Sequence, residues 1–154
     1  MSTVYLGLGT NLGDKEVQLR TAVNEIEKRI GRIMILSAFY TTIPWGFTSE
    51  HTFLNAACAV ETSLNPYELL SVTQDIEKNL GRKHKSVDHH YADRLIDIDI
   101  LFFDQIIIHE ADLQIPHPLL TKRDFVLKPL VEIAPDLVHP INHLTIRKLW
   151  QEIN

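Results

Sequence analysis

Residues 95–103 read LIDIDILFF, an apolar run interrupted only by Asp97 and Asp99. The run is short and follows a long polar stretch, which favours a buried β-strand over a helix. Residues two apart on a strand point to the same side, so both carboxylates face one way and the intervening isoleucines face the other. We expect this strand to be the last of a sheet and to carry its charge on one face.

The elements that precede this strand alternate between strands and helices. The helix over 14–30 has one apolar stripe, with Asp14 suited to begin it and Gly31 to end it. A second helix has a capping-box start at Asn65 and is expected to end at Gly81. In chain order, the predicted elements are a strand over 3–8, a helix over 14–30, strands over 33–42 and 54–60, and a helix over 65–80.

The order β-α-β-β-α-β predicts an α+β fold, a ferredoxin-like antiparallel sheet with helices on one face. A short strand over 106–108 and a helical C-terminal extension follow the sheet. The extension is expected near 119–132, broken by Pro129, and again close to the C-terminus, where Thr145 can cap a helix. No internal repeat or linker divides the chain, so residues 1–154 are predicted to form a single domain.

Composition argues against several classes of protein. The formal net charge is −5 and the pI is near 5.9, unlike a nucleic-acid binder. There is no apolar run of about 18 residues and no basic segment leading into an apolar one at the N-terminus, so we expect neither a membrane span nor a signal peptide. Cys58 has no second cysteine to pair with. We therefore expect a cytoplasmic monomer without nucleic-acid or membrane partners.

The carboxylates of Asp97 and Asp99 are candidate ligands for Mg²⁺. Two like charges on one strand face repel each other unless a cation lies between them, and Mg²⁺ is commonly held by one or two carboxylates together with substrate phosphates. A bare Asp-x-Asp is more often a pair of solvated acids. The apolar strand around this pair and the basic loop before it favour the metal site.

Positive charge is concentrated between Arg82 and Arg94, and Arg123 follows further along the chain. Guanidinium groups match phosphate oxygens and stabilise charge that develops during transfer. Each arginine alone would more often be an ordinary surface residue. Together they indicate a polyphosphate ligand beside the two aspartates.

Other patterns are weaker and have plain structural explanations. Gly7, Gly9 and Gly13 match no known phosphate loop and are expected to form a tight strand-to-helix turn. The pair His89 and His90, next to an aspartate, is more typical of a solvated loop than of a metal site. Aromatic side chains that could stack on a flat ring, but that are more often core residues, are Trp45, Phe53 and Phe125.

Taken together, these segments resemble the 6-hydroxymethyl-7,8-dihydropterin pyrophosphokinase family nearly end to end. Any one of them is unspecific, but the set in this order is highly specific. The matching segments are YLGLGTNLGD at 5–14, Phe39-Tyr40-x-Thr42, Pro44-Trp45-Gly46, FLNA at 53–56, Gln74-x-x-Glu77, Gly81-Arg82, Arg94-x-x-Asp97-x-Asp99-Ile100-Leu101, Pro116-His117-Pro118, Arg123-x-Phe125-Val126-Leu127 and Pro129-Leu130.

The resemblance implies transfer of pyrophosphate from Mg-ATP to the hydroxymethyl group of 6-hydroxymethyl-7,8-dihydropterin, with two Mg²⁺ ions and release of AMP. Its implied catalytic residues are Arg82, Arg94, Asp97 and Asp99, and the same two aspartates are the metal ligands. Its implied ATP-binding residues are Gln74, Glu77, His84, Arg94, Ile100, His117 and Arg123. Its implied pterin-binding residues are Thr42, Pro44, Trp45, Phe53, Asn55 and Phe125.

The loop before the metal strand departs from the family pattern. The family often has Trp-Gly-Pro-Arg where this chain has Tyr91, Ala92, Asp93 and Arg94. The family's second loop arginine is replaced by His84, or by Lys85 after a shift in the loop. We therefore expect ATP affinity or loop closure to differ from that of typical members.

Three alternatives come from other functional classes. A non-catalytic ferredoxin-like module would bind pterin or nucleotide without turnover. An RNA-recognition module of similar topology would need an aromatic, glycine-rich strand signature that is missing here. Another Mg-dependent transferase with a different acceptor would not need the aromatic and amide side chains assigned to the pterin.

Overall fold

The computed structural model describes residues 1–42, 52–81 and 96–154. Its main elements are β1 (Ser2–Thr10), α1 (Lys15–Arg29), β2 (Gly31–Leu36), β3 (Tyr40–Thr42), β4 (Phe53–Thr62), α2 (Pro66–Gly81), β5 (Asp97–Phe103), β6 (Ile108–His109), β7 (Gln114–Ile115), α3 (Asp124–Ile133) and α4 (Ile146–Ile153). A single 3₁₀ turn, Leu120–Lys122, precedes α3.

The sheet has the strand order β2-β4-β1-β5, with β3 added beside β4. Every neighbouring pair in it is antiparallel. With α1 between the first two strands and α2 before β5, the predicted ferredoxin-like order β-α-β-β-α-β is confirmed. Strand β1 is central, because β4 and β5 flank it along most of its length.

The two faces of the sheet bury different parts of the chain. On one face, alternate residues of β1, Val4, Leu6 and Leu8, pack with α1 and α2 in one apolar cluster. On the other face, Ala57 and Phe102 join α3 and α4 in a second cluster. The first two helices therefore share a face as predicted, and the C-terminal extension covers part of the opposite one.

The predicted helix starts are confirmed by their capping contacts. The Asp14 carboxylate accepts the backbone N–H of Val17 at 3.2 Å. Asn65 and Glu68 form a reciprocal capping box, in which each side chain accepts the other residue's backbone N–H, at 2.8 and 2.9 Å. These contacts are local, so the sequence alone could specify them. Among the described residues no helix is long and apolar enough to cross a membrane.

Three predictions about breaks in the chain were wrong. Pro129 lies inside α3, which is continuous from Asp124 to Ile133, and the helical stretch is interrupted instead at Arg123, whose backbone is extended. The strand expected over 33–42 is divided at Ser37. The Ser37 hydroxyl accepts the backbone N–H of Ala57, in place of a backbone carbonyl of the neighbouring strand. The strand expected over 106–108 begins at Ile108 and pairs with β7 outside the main sheet.

The helix α1 ends just before Gly31, as predicted, with Ile30 as its C-cap residue, and Gly31 itself begins β2. Its Cα lies so close to β4 that an added Cβ would be 2.0 Å from the carbonyl oxygen of Glu61. Glycine is required here by the approach of a neighbouring backbone, not by a helix terminus.

We expect Gly31→Ala to lower the free energy of unfolding by about 2–4 kcal/mol, since the strand backbone must move to accept the new methyl group. Gly81→Ala is the matched control, because a Cβ at Gly81 meets no atom of the described residues within 4 Å. Urea denaturation of both variants would measure the difference. Equal stabilities of the two variants would contradict the close approach at Gly31.

Candidate active site

A row of three residues crosses the sheet at the end of β1. Gly9 pairs with Asp97 of β5 on one side and with Asn55 of β4 on the other. Residues directly opposite one another in antiparallel strands point to the same face. We call Asp97, Gly9 and Asn55 the polar row, and two strand spacings separate its outer members, about 10 Å.

Gly7 and Gly9 lie within β1, so the prediction that they form a turn was wrong. Of the three glycines, only Gly13, with a φ of 67°, is in the turn before α1. A Cβ on Gly9 would lie 2.8 Å from Oδ1 of Asn55, so a side chain there would displace the carboxamide. The alternation of Gly7 and Gly9 with Leu6 and Leu8 was the signal that could have revealed a strand with one side-chain-free face.

The Asn55 side chain is buried and held in place. Its residue is 5% exposed, and its amide nitrogen donates to Oγ1 of Thr42 at 2.6 Å. This bond leaves the amide oxygen on the side of Gly9. The pterin-binding residues predicted on β3 and β4 thus come together here, with half-buried Phe53 two residues before Asn55.

A cavity of about 430 Å³ lies between α2, β5 and the β6–β7 ribbon. It brings together six of the predicted site residues: Gln74, Glu77, Asp97, Asp99, Ile100 and His117. Residues 111–114 form the wall of the cavity on the ribbon side, and because they carry no distinctive motif they were not among the predicted site residues. The polar row therefore borders the cavity at Asp97.

Glu77 projects from α2 to the edge of the sheet. One of its carboxylate oxygens accepts the backbone N–H of Ile98 at 2.7 Å. That N–H belongs to the residue between Asp97 and Asp99, so Glu77 holds the backbone that spaces the two carboxylates. Burial raises the pKa of Glu77 to about 7, the Ile98 amide opposes this rise, and the charges of the two aspartates add to it.

His117 is oriented by its own backbone neighbourhood. Its Nδ1 accepts the N–H of Leu119 at 3.2 Å, which places the ring proton on Nε2. Nε2 lies 3.9 Å from Oδ1 of Asp99. Burial lowers the pKa of His117, the charge of Arg123 lowers it further and Asp97 opposes both. His117 therefore presents a neutral N–H donor beside the aspartates.

Arg123 stands at the start of α3, with its guanidinium carbon 5.5 Å from the ring centre of Phe125. Its Nε is buried and has no hydrogen-bond partner among residues 1–42, 52–81 and 96–154. A buried donor without a partner costs free energy unless a ligand supplies the acceptor. The remaining predicted site residues, Pro44, Trp45, Arg82, His84 and Arg94, lie outside the described residues.

The donor set at Asp97 and Asp99 fits a hard cation that completes its shell with substrate oxygens. Within the described part of the chain, no group of three or more His, Cys, Asp or Glu side chains could hold a metal ion by itself. Mg²⁺ prefers six oxygen ligands and keeps several waters, so two carboxylates suffice when phosphates provide more. The chemistry of the donors is therefore compatible with Mg²⁺ bound together with a nucleotide.

Residues 5–135 match the family model of 7,8-dihydro-6-hydroxymethylpterin-pyrophosphokinase. A 2-amino-4-hydroxy-6-hydroxymethyldihydropteridine pyrophosphokinase of Porphyromonas gingivalis is 48% identical over 141 residues, which are 91% of this chain and 95% of that protein. The protein of the same name from Aquifex aeolicus is 40% identical over 152 residues, 99% of this chain and 92% of its own length.

Solved structures show the same fold at lower identity. The wild-type HPPK-DHPS of Plasmodium falciparum with SDX-DHP superposes with a TM-score of 0.79 at 22% identity. The match covers 99% of this chain but 43% of that longer chain. At this identity the likeness supports the fold alone.

The raised pKa of Glu77 makes the stability of the metal-free protein depend on pH. Between about pH 4.5 and 7, the Glu77 carboxyl is protonated in the folded state and ionised in the unfolded state. The free energy of unfolding therefore falls as the pH rises through this window. We expect Glu77→Gln, which keeps the acceptor for Ile98, to add about 1 kcal/mol to the free energy of unfolding at pH 8, after allowance for solvent screening.

Denaturant unfolding in EDTA at pH 5 and pH 8 would measure this effect, with the exposed Glu16→Gln as control. For Glu77→Gln, the increase in the free energy of unfolding over wild type should shrink towards zero at pH 5. For the control, no increase should be seen at either pH. A gain that is the same at both pH values would contradict the ionisation of Glu77 as its cause.

Proposed function

Because the chain belongs to the 7,8-dihydro-6-hydroxymethylpterin-pyrophosphokinase family, we propose that its two substrates meet across the polar row. The chain is an ATP-dependent diphosphokinase of folate biosynthesis, which transfers pyrophosphate from ATP to the hydroxymethyl group of hydroxymethyldihydropterin. The observation that carries the placement is the register of β1, which sets Asp97 and Asn55 on either side of Gly9. The non-catalytic alternative loses its support, because relatives along the whole chain are named as pyrophosphokinases.

Asp97 and Asp99 would hold two Mg²⁺ ions together with oxygens of the ATP phosphates. Bound there, Mg²⁺ neutralises phosphate charge and stabilises both the attacking and the leaving oxygen. Glu77 supports this arrangement from α2 through its bond to the Ile98 amide. We thus assign the metal to the side of the cavity that the polar row borders.

We assign ATP to the cavity beside α2 and β5. There the Nε2–H of His117 would donate to a phosphate oxygen. The nearby Arg123, whose Nε has no hydrogen-bond partner in the described part of the chain, would gain an acceptor from the nucleotide. Arg82 and Arg94 would stabilise charge on the transferred group, as the family resemblance implies. Gln74, Ile100 and His84 complete the proposed ATP-binding set.

We assign the pterin to the Asn55 side of the polar row. The Asn55 oxygen faces the site as an acceptor, since the amide nitrogen is used by Thr42. A pterin edge rich in N–H donors would pair with that oxygen, and an analogue without these donors would leave a buried acceptor unsatisfied. Phe53, Phe125, Trp45 and Pro44 would provide the apolar surfaces for the flat ring.

In this arrangement the hydroxymethyl oxygen points along the polar row towards the phosphates. The oxygen attacks the β-phosphorus of ATP, the bond from that phosphorus to the oxygen bridging the α-phosphate breaks, and AMP leaves with the electron pair. The hydroxyl proton passes to solvent or to a phosphate oxygen. Catalysis is then mainly positioning, to which the hydrogen-bonded side chains of Asn55 and His117 would contribute, and charge stabilisation, which we assign to Arg82, Arg94 and the bound Mg²⁺.

We further propose that residues 1–154 act as one pyrophosphokinase domain and that the enzyme is a cytoplasmic monomer. Size-exclusion chromatography with light scattering would test the oligomeric state.

The reaction is tested by AMP release from Mg-ATP with and without 6-hydroxymethyl-7,8-dihydropterin. We expect AMP release that depends on the pterin. Its rate should fall on the order of a hundredfold or more in Asp97→Asn, which removes a charge that would face the metal. Asp136→Asn, a surface carboxylate with an 82% exposed side chain, is the control. Release of ADP would mean attack at the γ-phosphorus, and turnover unaffected in Asp97→Asn would refute the metal site.

The close approach at Gly9 predicts a selective defect in pterin binding. We expect Gly9→Ala to raise the pterin KM about tenfold, because the methyl group displaces the Asn55 oxygen that the pterin needs. Gly7→Ala is the matched control on the same strand face, where a Cβ would make an ordinary 3.4 Å contact with Leu101. Steady-state kinetics with each substrate varied would decide, and equal pterin KM values in both variants would contradict the role of Gly9.

A further inference from the structure

Strand β3 is short for a strand that holds part of a binding site. It contains three residues, Tyr40–Thr42, and among residues 1–42, 52–81 and 96–154 its only partner strand is β4. Its last residue, Thr42, orients the Asn55 carboxamide. The position of β3 therefore controls the polar edge of the proposed pterin pocket. Pairing over only three residues stabilises this position weakly.

A single carboxylate on α3 ties β3 to the helix. Glu132 accepts the phenol O–H of Tyr40 at 2.5 Å and the backbone N–H of Ala38 at 3.1 and 3.3 Å. Lys128, one turn earlier on α3, places its Nζ 5.2 Å from the centre of the Tyr40 ring. Between them, Glu132 and Lys128 of α3 thus contact both Ala38, just before β3, and Tyr40, its first residue.

Tyr40 is also the next residue along the polar row. It pairs with Asn55, as Asn55 pairs with Gly9, so its side chain lies on the same sheet face. Glu132 sits near the C-terminal end of α3, and Phe125 lies at the N-terminal end of the same helix. The contacts of Glu132 therefore connect the helix that carries the aromatic side chain with the strands that carry Thr42 and Asn55.

We propose that Glu132, through Tyr40, is a positioning residue that sets the distance between the Phe125 side and the Asn55 side of the pterin pocket. This inference rests on the proposed function, because it uses the assignment of Phe125 and Asn55 to the pterin. Glu132 touches neither substrate in this arrangement. It contributes a hydrogen-bonding geometry rather than a charge, since both of its partners are donors that a neutral amide oxygen can also satisfy.

The test compares Glu132→Ala with Glu132→Gln and Tyr40→Phe in steady-state assays of AMP release. We expect Glu132→Ala to raise the pterin KM about five- to tenfold, because two hydrogen bonds to β3 are lost, with the ATP KM and kcat within about twofold of wild type. Glu132→Gln should restore the pterin KM to within about twofold. Tyr40→Phe should show a smaller rise of the same kind, because the Ala38 bond remains.

The control is Glu16→Ala, which removes an exposed carboxylate paired with Arg20 on the same protein and should change neither KM. An unchanged pterin KM in both Glu132→Ala and Tyr40→Phe would overturn the proposal, as would equal rises in the pterin and ATP KM values or a Glu132→Gln variant as impaired as Glu132→Ala. If Glu132→Ala does not fold, Tyr40→Phe and Glu132→Gln decide by the same criteria. A wild-type protein without pterin-dependent AMP release would refute the proposed function itself.

Discussion

The register of β1 between β4 and β5 is the constraint on which the rest of the structure depends. Leu6 and Leu8 must face α1 and α2, because they complete the first apolar cluster. Since side chains alternate along a strand, Gly7 and Gly9 are then fixed on the opposite face. A slip of one residue would turn both leucines towards the site and would bury glycines where the core needs volume.

The sheet face that carries Gly7 and Gly9 differs in character from one end to the other. At the Val4 end, Tyr5 and Phe102 meet edge to face at 6.2 Å, and the second apolar cluster with α3 and α4 lies over them. Towards Gly9, the residues that share the face are polar and partly exposed, as at Asp97 and Thr42. The C-terminal extension thus buries the apolar half of the face and leaves the polar half beside the start of α3.

The sequence predicted those features that depend on a short stretch of chain. The alternation in 95–103 placed Asp97 and Asp99 opposite the isoleucines, and the capping residues located the helix starts, because period and hydrogen bonds act within a few residues. The reasons for glycine at Gly31 and Gly9 were misjudged, since they come from Glu61 and Asn55 on a strand distant in sequence. The wall of the cavity at 111–114 had no local signal of any kind.

The acidic end of β5 explains why the proposed metal and the proposed nucleotide would bind together at this site. Glu77, held at the strand by the Ile98 amide, lies close to both aspartates; burial raises its pKa to about 7, and the charges of Asp97 and Asp99 add to the rise. Repulsion among these carboxylates is therefore a cost to the metal-free edge of the strand. A divalent cation would relieve it, but two carboxylates fill only part of an octahedral shell. Phosphate oxygens must supply more of the ligands, so the geometry favours a cation that arrives with ATP over one bound alone. The repulsion that weakens the metal-free strand edge is therefore the same force that would draw Mg-ATP to it.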